Sequence, residues 1–148
     1  MDNPKPVNEF RSTDDVGARR YRRQFLLGPH YLESLPCWTR TRLDRERYVT
    51  SHPDLEVTHR RDGCSAITLL GDLIDPRDPH ADNRSLVDRL VRQLKSTGID
   101  GVLREIDRLG GRWVIIAQQV GQCEVFHDLA GSRPLYYARD GRRSPSPL

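Results

Sequence analysis

The chain has 148 residues, 36% hydrophobic and 30% charged, and its 24 Lys and Arg against 21 Asp and Glu give a formal net charge of +3. That length suits one domain able to bury a core without disulfide staples, and the composition is polar without being that of a disordered chain. The charges are interspersed, which argues against the concentrated basic face of a nucleic-acid binder, and no apolar run of about 18 residues suggests a membrane-spanning helix.

The first 18 residues are rich in Asp, Asn, Pro and Ser and read as a disordered arm. A basic cluster, Arg19 to Arg23, reads as a solvated lead-in to a first strand at Phe25-Leu26-Leu27, which Gly28-Pro29 ends. Trp38 to Leu43 alternates apolar or aromatic residues with Arg and Thr, the pattern of a half-exposed strand. His52-Pro53-Asp54-Leu55 predicts a turn, because proline fixes its own backbone and restricts the residue before it. Glu56 to Arg61 alternates weakly, and Asp62-Gly63 predicts a hairpin turn into Cys64 to Ile74, the most apolar run of the first half and so a buried strand. A loop rich in Pro and Asp follows at residues 75–80.

Two helices are expected next. Asp82 or Asn83 can cap the first, whose Leu86, Val87, Leu90, Val91 and Leu94 form one stripe, and Gly98 ends it. The second carries Ile99, Val102, Leu103, Ile106 and Leu109 and closes at Gly110-Gly111. Strands are then expected at Trp113–Ala117, Glu124–His127 and Leu135–Tyr137, the first two joined by a turn at Val120-Gly121-Gln122. Residues 140–148, rich in Gly, Arg, Ser and Pro, read as a disordered tail, which leaves 19–139 as the folded domain. Strands that run consecutively before and after a helical block favour an α+β fold with antiparallel sheets.

Cys37, Cys64 and Cys123 are odd in number and widely spaced, with no Cys-x-x-Cys pair, so they read as reduced thiols of a cytoplasmic protein. The charged N-terminus lacks the apolar segment of a signal peptide. Cys37, His52, His59 and Cys64 have zinc-binding atoms but not the short paired spacings of a structural zinc site, so no metal is expected. His127-Asp128 could support acid–base chemistry, but Asp128 just before a turn reads better as a cap on the backbone amides of Gly131 or Ser132. No phosphate-binding glycine loop is present, and no cofactor is expected.

One stretch carries more information than the rest. Gly110-Gly111-Arg112-Trp113 opens a strand, and a later strand turns through Asp128-Leu129-Ala130-Gly131-Ser132-Arg133-Pro134-Leu135-Tyr136-Tyr137. The pattern resembles the class II glutamine amidotransferase domain of glutamine-dependent asparagine synthetases, over roughly residues 64–138. The resemblance implies an N-terminal-nucleophile hydrolase sandwich of αββα layers, whole or incomplete, with Gly111, Asp128, Gly131, Pro134 and Tyr136 as its structural motif. It also implies where a glutamine site would lie. The family has an Asn-Gly-Glu triplet, whose Asn side chain and Gly amide form the oxyanion hole, where this chain has Leu70-Gly71-Asp72. Its Ser-Asp-Thr-Glu motif, whose Asp holds the substrate's amino group, falls at Ala81-Asp82-Asn83-Arg84.

Gly71, Asp72 and Asp82 are therefore vestigial substrate-binding candidates, Asp82 serving equally well as a helix N-cap. The family's nucleophile is a cysteine at residue two, exposed by loss of the initiator Met, and residue two here is Asp2. With Leu70 in place of the Asn, an oxyanion donor of the kind that contributes roughly 2.7–4 kcal/mol to acyl transfer is missing. The resemblance thus implies a degenerate amidotransferase-like module beside an asparagine-synthetase-like ligase, without glutaminase activity and without catalytic residues of its own. The alternatives are the N-terminal piece of a longer synthetase-like enzyme and a small amino-acid-binding module.

Overall fold

The computed structural model describes residues 21–133 together with Leu135 and Tyr136. The expected arm at 1–18, the tail at 140–148, Asp2, Pro134 and Tyr137 lie outside the described residues. The elements in chain order are β1 (Phe25–Gly28), β2 (Thr39–Arg42), β3 (Tyr48–Ser51), β4 (Val57–Asp62), β5 (Ser65–Ile74), α1 (Asn83–Ile106), β6 (Gly110–Gln119) and β7 (Gln122–His127). They form two antiparallel sheets, a three-stranded one ordered β1-β3-β2 and a four-stranded one ordered β4-β5-β6-β7. The fold is α+β.

The longest ladder joins β5 to β6, from Ala66 opposite Gln118 to Ile74 opposite Gly110. Both strands are buried on both faces, which is why each reads in sequence as a nearly continuous apolar run. Alternate side chains serve two cores. Ile67, Leu69, Leu73, Trp113, Ile115 and Ala117 pack against the helix, meeting Leu86, Val87, Leu90, Val91, Leu94, Val102 and Ile106. Leu70, Val114 and Ile116 face the other way and pack with Leu43, Val49 and Leu55 of the three-stranded sheet and the segments beside it. The layers are therefore helix, four-stranded sheet, three-stranded sheet. Polar ties join the two sheets: Gln118 Nε2 donates to Asp44 Oδ2 at 2.6 Å, and the Arg61 guanidinium donates to the Leu43 carbonyl.

Three expectations are corrected, while the break at Gly98 falls where the sequence put it: two helical stretches join across a kink into one element, α1, as Gly98 takes φ 68° and ψ −161°. Gly98 interrupts the helical conformation without starting a loop, so the apolar stripe continues at Val102 and Ile106 against the same sheet. Gly110 and Gly111 do not close the helix but begin β6. A strand absent from the sequence reading, β3, is the centre of the three-stranded sheet; three of its four residues are buried, so it shows no alternation, and its register with both neighbours is what defines it. Finally, Leu135 and Tyr136 belong to no strand. Leu135 packs against the core between the sheets, whereas Tyr136 is 92% exposed, so the alternation is that of an anchored turn with no ladder partner.

An ion-pair network fixes α1 to the end of β5. Asp75 is buried there and receives Arg77 in a two-bond fork, Nε to Oδ1 at 3.0 Å and Nη2 to Oδ2 at 3.1 Å, and Arg89 Nη2 at 2.6 Å. Arg89 Nε lies 2.8 Å from Glu105 Oε1, so one guanidinium spans residues on both sides of the Gly98 bend. The hydrogen bonds from the Arg77 side chain and amide, with those from Arg89, hold the Asp75 carboxyl well below the usual carboxylate range.

Two outcomes are expected. Leu90→Ala removes a fully buried side chain of the helix face and lowers unfolding free energy by about 2–5 kcal/mol in a urea titration. The depressed Asp75 carboxyl contributes stability above the unfolded value of about 3.9, and that contribution is lost as pH falls below it. Thermal midpoints followed from pH 6 to pH 3, values chosen to bracket that unfolded value, should fall for the parent protein and be both lower and flatter for Asp75→Asn.

Candidate functional site

The residues singled out from the sequence converge at one end of the β5–β6 ladder. Gly71 lies opposite Trp113, Asp72 opposite Arg112, and Leu73 opposite Gly111. Gly71 takes φ 108° and Gly111 φ 114°, values that favour glycine. The two are needed for reciprocal reasons. A Cβ on Gly71 would stand 2.3 Å from the Arg112 carbonyl oxygen, and one on Gly111 would stand 2.1 Å from that of Asp72. The strands thus pinch together about the Asp72–Arg112 pair, whose side chains are both exposed.

The β4 strand leaves its neighbour at this point, after Val57 pairs with Leu70 and the Gly71 amide donates to the Glu56 carbonyl at 2.9 Å. The freed backbone groups of β5 are then met by a side chain. Asn83 Nδ2 donates to the Gly71 carbonyl at 3.1 Å and to Glu56 Oε1 at 3.0 Å, while Asn83 Oδ1 accepts the Leu73 amide at 2.9 Å. Asn83, the first residue of α1, replaces a strand partner and sets where the helix begins relative to the sheet.

Asp82 is the N-cap of α1. Its Oδ1 accepts the Ser85 amide at 2.8 Å, and that bond, joined by the Ser85 side chain, lowers its pKa from the ordinary carboxyl value. Asp128 occupies the corner after β7. Its Oδ1 accepts the Ser132 amide at 3.0 Å and the Ser132 hydroxyl at 2.8 Å, and its own carbonyl accepts the Gly131 amide at 2.9 Å. Burial pushes the Asp128 carboxyl up, but the Ser132 amide and hydroxyl outweigh it and leave the pKa lowered. The His127 ring hydrogen-bonds the Asp128 carbonyl through Nδ1 at 2.8 Å, so it faces backbone and not the Asp128 carboxylate.

Arg133, not singled out from the sequence, closes the end of the sandwich. It is buried, donates from Nη1 to the Arg23 carbonyl at 2.8 Å, and has its Nε 3.5 Å from the Arg112 carbonyl. Its guanidinium lies against Gly71, within 3.2 Å of where a Cβ would be. Burial lowers its pKa, the neighbouring Arg112 adds to this, and Asp72 opposes it. Arg133 thereby joins the C-terminal corner to the backbone just before β1, where Arg23 takes φ 58°. The sequence signal for this role is slight: one arginine in a corner whose other charged residue is Asp128.

Neither Cys64 nor Cys123 reaches this end along the ladder. Cys64 sits in the β4–β5 turn, seven residues from Gly71, or about 23 Å along a strand. Cys123 pairs with Gln118 at the same far end, and burial raises its pKa. Cys37 is exposed between β1 and β2. Leu70, at the position where the resemblance puts an amide donor, is fully buried between the sheets. Among the described residues no group of three or more His, Cys, Asp or Glu is placed to hold a metal ion; His59 meets the Thr68 hydroxyl at 2.8 Å and His52 lies edge-on to Trp38. No helix among them is long and apolar enough to cross a membrane.

No protein-family model matches the chain, and neither a curated protein nor a solved structure does.

The pinch yields a sharp contrast between neighbouring glycines. Gly111→Ala forces a positive φ and a backbone clash, with an expected loss of roughly 1–3 kcal/mol from conformation alone. Gly110→Ala meets nothing closer than 3.9 Å and should stay within about 0.5 kcal/mol of the parent by chemical denaturation.

Proposed function

We propose that this chain is a catalytically degenerate glutamine amidotransferase-like domain, serving as a structural or regulatory module for an asparagine-synthetase-like, amide-forming ligase. The observation that carries the reading is Leu70. It stands directly before Gly71, where the resemblance calls for an oxyanion-hole amide, and its side chain belongs to the core between the sheets. Two further features support it. The Asp82 carboxylate is already committed to the Ser85 amide, and the Gly71 amide to the Glu56 carbonyl, so both are engaged in holding the fold. The sulfurs of Cys64 and Cys123 belong to the opposite end of the β5–β6 ladder.

On this reading the helix and the two sheets are three layers of an αββα sandwich, with no helix over the three-stranded sheet among the described residues. Gly111, Asp128 and Gly131 keep the corner in shape, with Pro134 and Tyr136 completing the motif. What persists is a scaffold able to dock; what has gone is the acyl-transfer machinery.

Incubation of the purified protein with glutamine should release no ammonia above a buffer blank in an enzyme-coupled assay, and release that depends on protein concentration sinks the proposal. Co-expression with a synthetase-like ligase from the same source should give a complex that survives gel filtration.

A further inference from the structure

The three-stranded sheet has one face in the core and one face outward. In its register Leu26, Thr50 and Arg40 lie side by side on the outward face, followed by Gly28, Tyr48 and Arg42. The segment between β1 and β2 folds over part of this face: the Leu32 amide donates to the Thr50 hydroxyl at 3.3 Å, and Tyr31 sets its ring against Tyr48 at 4.5 Å between centroids. Each ring carries an arginine, Arg40 over Tyr31 at 5.6 Å and Arg42 over Tyr48 at 5.7 Å. Leu26 and Leu32 beside them are 44% and 39% exposed.

The two arginines differ from others in the molecule. Arg22, Arg47, Arg77 and Arg89 each have a carboxylate within 4 Å, whereas among the described residues Arg40 and Arg42 have none. Ring stacking holds both guanidinium groups in place, Arg42 Nε also donating to the Asp44 carbonyl at 2.9 Å, and the remaining N–H groups are left for an incoming acid. Tyrosine and arginine are enriched among the residues that carry most protein–protein binding energy, and the exposed leucines add apolar area beside them.

We propose that this face docks an acidic segment of a partner protein, with carboxylates on Arg40 and Arg42 and an aliphatic side chain against Leu26 and Leu32. Charge complementarity names the occupant: the face offers unneutralised cations and apolar area together. Nucleic acid fits less well, because the tyrosine rings that would stack on bases already carry the arginines, and two free cations fall short of the 6–10 phosphate contacts typical of strong binding. The inference does not require the partner to be a ligase, so it stands or falls separately from the proposed function.

The test titrates the full chain, labelled for NMR, with a synthetic peptide alternating Glu and Leu, a Lys and Leu peptide, and a single-stranded DNA 12-mer, a length chosen within the span of common single-strand site sizes. The expected result is binding of the acidic peptide that weakens with salt, with shifts at Leu26, Leu32 and the Arg40 and Arg42 side chains. Arg40→Glu with Arg42→Glu should weaken it at least tenfold while far-ultraviolet dichroism stays unchanged; if that pair fails to fold, Arg40→Gln with Arg42→Gln replaces it. No binding of the acidic peptide, shifts elsewhere, an undiminished affinity in the folded variant, or tighter binding of the Lys peptide or the DNA overturns the proposal.

Discussion

The pairing of β5 with β6 is the contact on which the other elements depend. Each strand places alternate side chains in two different cores, so one ladder supports both the helix on one side and the second sheet on the other. A strand of this kind cannot slip by one residue, because a slip would exchange the two cores. That requirement fixes the register at the far end, where Gly71 and Gly111 bring the backbones close about the Asp72–Arg112 pair. The site described above is thus a consequence of a packing constraint that begins in the apolar middle of the strands.

Around that pair, polar side chains do what backbone would do elsewhere. Asn83 replaces a departing strand, Asp82 caps the helix it precedes, Asp128 closes a turn, and Arg133 links the corner to the residues before β1. Each is engaged by hydrogen bonds within the fold. A catalytic site of the amidotransferase kind would need some of these groups free for substrate. Their mutual engagement holds a helix start, a sheet edge and a corner together.

Charge is arranged differently on the two sides of the molecule. On the helix side, Asp75, Arg77, Arg89 and Glu105 neutralise one another and hold the two halves of a bent helix. On the outer sheet, Arg40 and Arg42 rest on aromatic rings and, among the described residues, form no ion pair. The first arrangement is turned inward and stabilises the fold; the second is turned outward and leaves its charge available.

Much of the fold is written locally. The apolar runs of β5 and β6, the stripe from Leu86 to Leu94, the capping residues at 82–83 and the turn at Asp62-Gly63 each follow from short-range chemistry, and the antiparallel α+β class follows from their order. Of the site, local chemistry marked Asp82 and Asp128, as acids before a helix and a turn, whereas Gly71, Asp72, Gly111 and Gly131 were marked only by what the resemblance implies. Tertiary structure decided the rest. β3 exists because two edge strands pair with it, and Leu135 packs against the core between the sheets without joining a ladder. Asn83 and Arg133 gain their roles only when a helix start and a corner meet backbone groups that are remote along the chain. Local periodicity cannot encode such contacts, since they arise from which faces two sheets and a helix turn toward one another.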